Sequence, residues 1–173
     1  VCIGTPLCYS HLQQTYKVRI LPSTVPAAGK GLFVEDATVA PNAIVFRRDD
    51  VILEYKGELI DVAALERRYD EEDEEHVAPY GYQTENNRVI DSACTRGAAS
   101  LINHSNRARS INCVFDYDAA TKKLYIVATK NIRNGAELFV DYGPGYDEMD
   151  SDRVKHRTRA KSRVRGRRYY KNR

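Results

Sequence analysis

The sequence predicts a mainly β fold with a few short helices, and three observations carry that reading. Apolar residues come in short runs, the longest being the five residues from Leu124 to Ala128, and such runs bounded by Gly, Pro, Asn and Asp are strand signals. Two of the runs, Cys113 to Tyr117 and Leu124 to Ala128, are separated by Asp118 to Lys123, a hairpin-like spacing. One stretch, Asp61 through Tyr69, has a helix-start residue followed by helically spaced apolar positions.

In chain order, Val18-Arg19-Ile20 and Gly31-Leu32-Phe33-Val34 read as strands on either side of a Pro/Ala/Gly loop. Ile44-Val45-Phe46, Val51-Ile52-Leu53-Glu54-Tyr55 and Leu59-Ile60 follow as further short runs of strand-favouring residues. Asp61 suits an N-cap, because its carboxylate can accept from an otherwise unpaired N–H of the first helical turn. Val62, Leu65 and Tyr69 then share one helix face. That helix runs into Asp70-Glu71-Glu72-Asp73-Glu74-Glu75, six carboxylates in a row. Val89-Ile90 resumes the strands, the hairpin pair follows, and Asn134-Gly135 is a turn signal before Glu137 to Tyr142. No internal repeat is visible.

At ~100–200 residues per domain, 173 residues argue for one domain. A chain of that length buries a core without metal or disulfide staples. A membrane span needs ~20 apolar residues and none is present, so no membrane partner is expected. No signal peptide is visible, and a start at Val1 without Met reads as a processed or excised fragment.

The net charge of +3 conceals a division. Residues 152–173 hold eleven Lys/Arg and one acidic residue, net +10, while residues 1–151 hold sixteen basic and twenty-three acidic residues, net −7. A block of like charge marks a solvated interaction tail. The bland role for this tail is a solvated extension that aids nuclear import; the sharper one is sequence-blind contact with a phosphate backbone.

Cys2, Cys8, Cys94 and Cys113 form no C-x-x-C pair, and such sparse cysteines fit a reducing compartment better than a disulfide framework. Cys8 and His11 have ligand-like spacing, yet no further ligands for a tetrahedral site are evident, so no metal is expected.

Four separated segments carry chemistry. Pro26-Ala27-Ala28-Gly29-Lys30-Gly31-Leu32-Phe33 holds a glycine pair that lets backbone approach a ligand closely, although a tight turn explains it as well. Glu54-Tyr55-Lys56-Gly57-Glu58 is the second. Leu101-Ile102-Asn103-His104-Ser105, preceded by Ile90-Asp91 and Arg96-Gly97, is the third. Glu137-Leu138-Phe139-Val140-Asp141-Tyr142-Gly143 is the fourth. Singly, each is compatible with core packing or turn chemistry.

In this order and spacing the four segments resemble the SET-domain protein lysine methyltransferases, over roughly residues 17–143. The resemblance implies small curved β-sheets around a C-terminal pseudoknot that threads the 103–105 and 137–143 segments together, a topology that sequence rules do not suggest because threaded connections are rare. It divides the chain into a flank, 1–16, a SET domain, 17–143, with a variable insert at 61–87, and a C-terminal extension, 144–173, strongly basic from 152. It implies S-adenosylmethionine as methyl donor, with S-adenosylhomocysteine as product. Gly29, Lys30 and Gly31 would line the methionine end of the cofactor, Tyr80 would contact it, and Asn103 and His104 would hold the methionine moiety and the adenine edge. Tyr142 matches the family's catalytic tyrosine. Tyr55, Tyr82 and Val140 would wall the channel for the substrate lysine. With twelve tyrosines present, only motif position separates Tyr142 from structural ones.

The sequence also departs from the family pattern. Relatives often carry a zinc-binding cysteine after Asn-His-Ser and a cysteine cluster past Asp-Tyr-Gly; here Asn106 stands in the first place and no cysteine follows Cys113. Another segment must therefore close the site, with Tyr146 or the basic tail as candidates. The loop from Ser105 to Asn112, with Arg107 and Arg109, is longer than usual, and Ser100 replaces a common arginine. Val140 stands where relatives usually carry Phe or Tyr, which implies room for more than one methyl group.

The acidic run and the acidic body suit a basic peptide. The expected function is therefore methyl transfer to lysine of a basic protein, a histone tail in nuclear chromatin, with nucleosomal DNA held by residues 152–173. Two other readings use the same residues: a non-histone protein lysine methyltransferase, and an inactive SET-like interaction module with a nucleic-acid-binding tail.

Overall fold

A computed structural model describes residues 9–69, 80–84 and 87–143. The acidic run and the basic tail lie outside them, as do Cys2, Cys8 and Tyr146. Two units are distinguished: one comprises residues 1–58 and 92–141, the other residues 59–91 and 142–173.

The first unit opens with α1 (Tyr9–Tyr16), followed by β1 (Val18–Pro22) and β2 (Lys30–Val34). β1 and β2 pair antiparallel from Val18↔Val34 to Pro22↔Lys30, so residues 23–29 form a hairpin loop. The loop is closed by Ser23 N–H donating to Gly29 O at 2.9 Å. Gly29 turns the chain at φ +78°, a conformation in which a side chain would be strained.

β3 (Ile44–Phe46) pairs with β11 (Ile132–Arg133). β4 (Val51–Glu54), β10 (Lys123–Ala128) and β9 (Cys113–Asp118) form a three-stranded sheet with β10 central. The expected hairpin is β9–β10, in register from Lys123↔Asp118 to Ala128↔Cys113. Leu124, Ile126 and Ala128 alternate inward and are 1%, 0% and 1% exposed, which is why this strand reads so clearly in the sequence. Between the sheets, a 3-10 turn (Ala98–Leu101) leads into β8 (Asn103–His104), which pairs parallel with β12 (Phe139–Val140).

The second unit holds β5 (Glu58–Asp61) from its second residue on, α2 (Val62–Arg68), β6 (Gly81–Gln83) and β7 (Arg88–Asp91), in strand order β5-β7-β6. The α2 helix starts and stops as its residues dictate. Asp61 Oδ1 accepts from Ala64 N at 2.6 Å, and Tyr69 is the C-cap. Leu65 packs on Val89, with Ile60, Val62 and Tyr69 around them. Arg68 Nη1 donates to Asp91 Oδ2 at 2.9 Å, and Tyr69 OH lies 3.1 and 3.2 Å from the two Asp91 oxygens.

The mainly β class and the α2 helix are as expected, while α1 and β6 are among the elements that the sequence reading did not draw. α1 occupies the stretch read as a flank. β6 and α2 give regular structure to both ends of the 61–87 insert. Among the described residues, no helix is long and apolar enough to cross a membrane.

Candidate functional site

Two short strands organise the motif residues of the first unit. In the β8–β12 pair, Phe139 faces Asn103 and Val140 faces His104 across the ladder, and Ser105 N–H extends it to Val140 O at 3.2 Å. Two-residue strands are weak alone, so other groups hold them. Asn112 uses its backbone N–H to Phe139 O at 3.1 Å, its Nδ2 to Glu137 O at 2.8 Å, and its Oδ1 to accept from Phe139 N at 2.8 Å. The third and fourth sequence motifs are thus side by side, the juxtaposition that a pseudoknot requires.

The glycine pair of the first motif meets the same place. Segment 135–138 runs along β2, with Gly135 N to Val34 O, Val34 N to Ala136 O and Leu138 N to Leu32 O, each at 2.8 Å. This sets Glu137 beside Gly31. A Cβ at Gly31 would collide with Glu137 Oε1 and come within 3.1 Å of Asn103 Nδ2, so any larger residue there would have to displace the Glu137 carboxylate. At Gly29, by contrast, a Cβ would meet nothing within 4 Å.

Asn103 is 7% exposed, and its amide has a defined orientation. Nδ2 donates to Lys30 O at 3.1 Å and to Glu137 Oε1 at 3.3 Å, which commits both hydrogens and leaves Oδ1 as the acceptor of the amide. The His104 side chain is 8% exposed, with Nδ1 3.8 Å from Asp141 Oδ1. Tyr55 is buried beside β4, its ring edge-to-face with Phe115 at a centroid distance of 5.4 Å and 88°. Val140 is fully buried on β12. Of the residues predicted from the sequence, Gly31, Lys30 and Asn103 are brought into direct contact around Glu137, while His104 and Val140 are brought together by the ladder.

Tyr80, Tyr82 and Tyr142 belong to the second unit. Tyr82, on β6, pairs with Ile90; Tyr80 precedes the strand; all three tyrosines are partly buried.

Sequence reasoning missed Glu137, Ser23 and Thr24 as site residues. Glu137 is 7% exposed, and four donors converge on it: Ser23 Oγ at 2.6 Å and Asn103 on Oε1, Thr24 N at 2.8 Å and Thr24 Oγ1 at 2.5 Å on Oε2. Burying a carboxylate costs several kcal/mol unless hydrogen bonds replace its water, roughly 1.5–3 kcal/mol for each bond to a charged group. The available signal was a charged residue set directly before the fully buried Leu138, in a segment otherwise of strand character.

The buried Cys113 thiol is unsuited to nucleophilic chemistry. Burial pushes the Cys113 thiol up to about 12, against the opposing pull of the Phe139 N–H and Lys130. Among the described residues, no three His, Cys, Asp or Glu side chains gather as a metal site.

Comparison with known proteins agrees with this geometry. The sequence model described as "SET domain" matches residues 43–143. The histone-lysine N-methyltransferase trithorax of Drosophila virilis is 28% identical over 134 residues, 78% of this chain but 3% of that protein, so the chain spans a small part of this curated relative. The crystal structure of CpSET8 from Cryptosporidium superposes with a TM-score of 0.53 at 25% identity, covering 78% of this chain and 62% of that one. A structure described as ctPRC2 in an autoinhibited conformation bound to S-adenosylmethionine gives 0.53 at 26% identity, over 81% of this chain and 17% of that one.

Proposed function

The chain belongs to the SET-domain family, and from that premise we propose that it transfers methyl groups from S-adenosylmethionine to the ε-amine of lysine in a basic protein, a histone tail in nuclear chromatin. The observation that supports this most is the hydrogen-bonded pairing of Asn103-His104 with Phe139-Val140, directly before Asp141-Tyr142. Relatives named as histone-lysine N-methyltransferases and a neighbour described as bound to S-adenosylmethionine support the choice of donor and acceptor.

The residues present fit that cofactor. Asn103 Oδ1, its amide nitrogen already committed, suits an ammonium donor, and the space beside Gly29 is open. When bound, S-adenosylmethionine supplies an electrophilic methyl on a sulfonium. Gly29, Lys30 and Gly31 would line its methionine end, Asn103 and His104 would hold the methionine moiety and adenine edge, and Tyr80 would add a contact.

The protein's task is to deliver a neutral amine along the line of attack. A free lysine has a pKa of ~10.4, and a channel walled by Tyr55, Tyr82 and Val140, as the family resemblance implies, would disfavour its ammonium by excluding water. The Tyr55 and Tyr82 faces also attract the charged form on entry. Tyr142 orients the neutral amine, and alignment supplies much of the remaining acceleration. The acidic body recruits a basic peptide, while residues 152–173 hold nucleosomal DNA, so two weak contacts combine through effective concentration.

The test is transfer of labelled methyl from S-adenosylmethionine to recombinant nucleosomes and to a free histone peptide, with site mapping of the product. Tyr142→Phe is expected to lower the rate by roughly 10²-fold through lost alignment. Removing residues 152–173 is expected to weaken activity on nucleosomes far more than on peptide. Activity untouched by Tyr142→Phe would overturn the catalytic assignment, and equal loss on both substrates would overturn the DNA-holding role.

A further inference from the structure

We propose that Glu137 is a positioning residue of the cofactor pocket, whose carboxylate locks the 23–24 turn to Asn103 and thereby sets affinity for the cofactor rather than the rate of methyl transfer. The inference rests on the methyltransferase reading and adds to it a residue with no previous role there.

Two segments distant in sequence meet on this one side chain. Ser23 and Thr24 lie 114 and 113 residues from it, and Asn103 lies 34 residues away. Among the described residues no cation pairs with Glu137, so its oxygens are matched by oriented dipoles. Ser23 Oγ, besides donating to Glu137, accepts from Val25 N at 3.0 Å, and Ser23 N–H closes the loop onto Gly29 O. The carboxylate therefore fixes the loop that carries Gly29 at the same time as it takes one hydrogen of the Asn103 amide. Gly31 is the complement, since any side chain there would displace Glu137 Oε1. Loss of the clasp frees the Asn103 amide to rotate and the loop to drift, and both changes act on groups assigned to the methionine end of the cofactor. Neither touches Tyr55 or Val140, which are assigned to the lysine.

Two variants test this. Glu137→Gln keeps the shape but places an NH2 against donors whichever way the amide is turned. Thr24→Val removes one hydroxyl of an exposed residue and leaves the backbone N–H bond, so folding is not at stake if the buried Gln fails. Thr24→Ser, which keeps the hydroxyl, is the rescue. Titration calorimetry with S-adenosylhomocysteine is expected to show a Kd raised about tenfold or more for Glu137→Gln and Thr24→Val, with Thr24→Ser near wild type. Steady-state assays on a histone peptide are expected to show the same rise in KM for S-adenosylmethionine, with kcat and peptide KM changed less than about twofold. Unchanged cofactor affinity in Thr24→Val, or a fall in kcat with cofactor KM constant, would overturn the proposal. A wild-type chain that binds neither S-adenosylmethionine nor S-adenosylhomocysteine would instead overturn the functional reading itself, and this inference with it.

Discussion

Asn112 Oδ1 accepts the Phe139 N–H at 2.8 Å while Asn112 Nδ2 donates to the Glu137 carbonyl at 2.8 Å. One side chain thus satisfies two backbone groups on β12 and its approach, as a neighbouring strand would.

Asn112→Ala is therefore expected to cost about 3 kcal/mol, because two backbone groups lose their partners at roughly 1–3 kcal/mol each. For a chain of this size that lowers the thermal midpoint by about 6–12 °C, readable by circular dichroism. Asn112→Asp does not rescue, since a carboxylate oxygen then faces the Glu137 carbonyl. A midpoint within about 2 °C of wild type would show that the ladder holds β12 without Asn112.

The second unit depends on Arg68 and Asp91 in a similar way. Asp91 is 1% exposed, and the Arg68 side chain that pairs with it is 38% exposed. Removing one partner of a buried pair costs ~3–5 kcal/mol, and partial exposure of Arg68 reduces that to about 2 kcal/mol for Arg68→Met. The same substitution at Arg67, on the same helix turn, is the control and is expected to stay within about 0.5 kcal/mol in chemical denaturation.

How much of this was legible in the sequence follows from the range over which each cause acts. The α2 helix was legible to the residue, since Asp61, Leu65 and Tyr69 act within three turns, and so was the β9–β10 hairpin. The α1 helix was not, because Leu12 is its one fully buried side chain among Ser10, His11, Gln13, Gln14 and Thr15. The β8–β12 pair is two residues long on each side and leaves no periodicity to read. Its juxtaposition was anticipated from family resemblance alone. Gly31 was read as making room for a ligand, whereas the nearest thing it makes room for is Glu137. That cause sits far along the chain, where local pattern cannot point to it.

Acid sensitivity has an identifiable source. Thr38, through its hydroxyl at 2.6 Å and its N–H at 2.9 Å, and then Lys17 at 3.1 Å, hold the Asp36 carboxyl down at about 2. Asp118 is lowered as well, chiefly by the Thr121 hydroxyl. A carboxyl depressed on folding adds stability that is fully present above its unfolded value of ~3.9 and is lost as pH falls through the folded value. Thermal midpoints are therefore expected to drop between about pH 4 and pH 2. Asp36→Asn should flatten part of that slope while lowering the midpoint at pH 7, and the remainder should respond to Asp118→Asn. A slope unchanged in the double variant would place the acid sensitivity elsewhere.

The proposed place of Val140 in the lysine channel carries an expectation about product state. It is fully buried, two residues before Tyr142, and pairs with His104. Valine has no hydroxyl with which to fix a water beside the acceptor amine, and it is smaller than the Phe or Tyr that the family resemblance sets at this position. A methylated amine must rotate its new methyl away before a second transfer, so a smaller, unhydrated wall permits another round. The expected product on a histone peptide is dimethyl- or trimethyl-lysine, resolved by intact-mass spectrometry as successive additions over time. Val140→Tyr should shift the product towards monomethyl-lysine, at an overpacking cost of about 1–3 kcal/mol that calls for assay below the lowered midpoint. A strictly monomethylated product from the wild-type chain would remove Val140 from the control of product state.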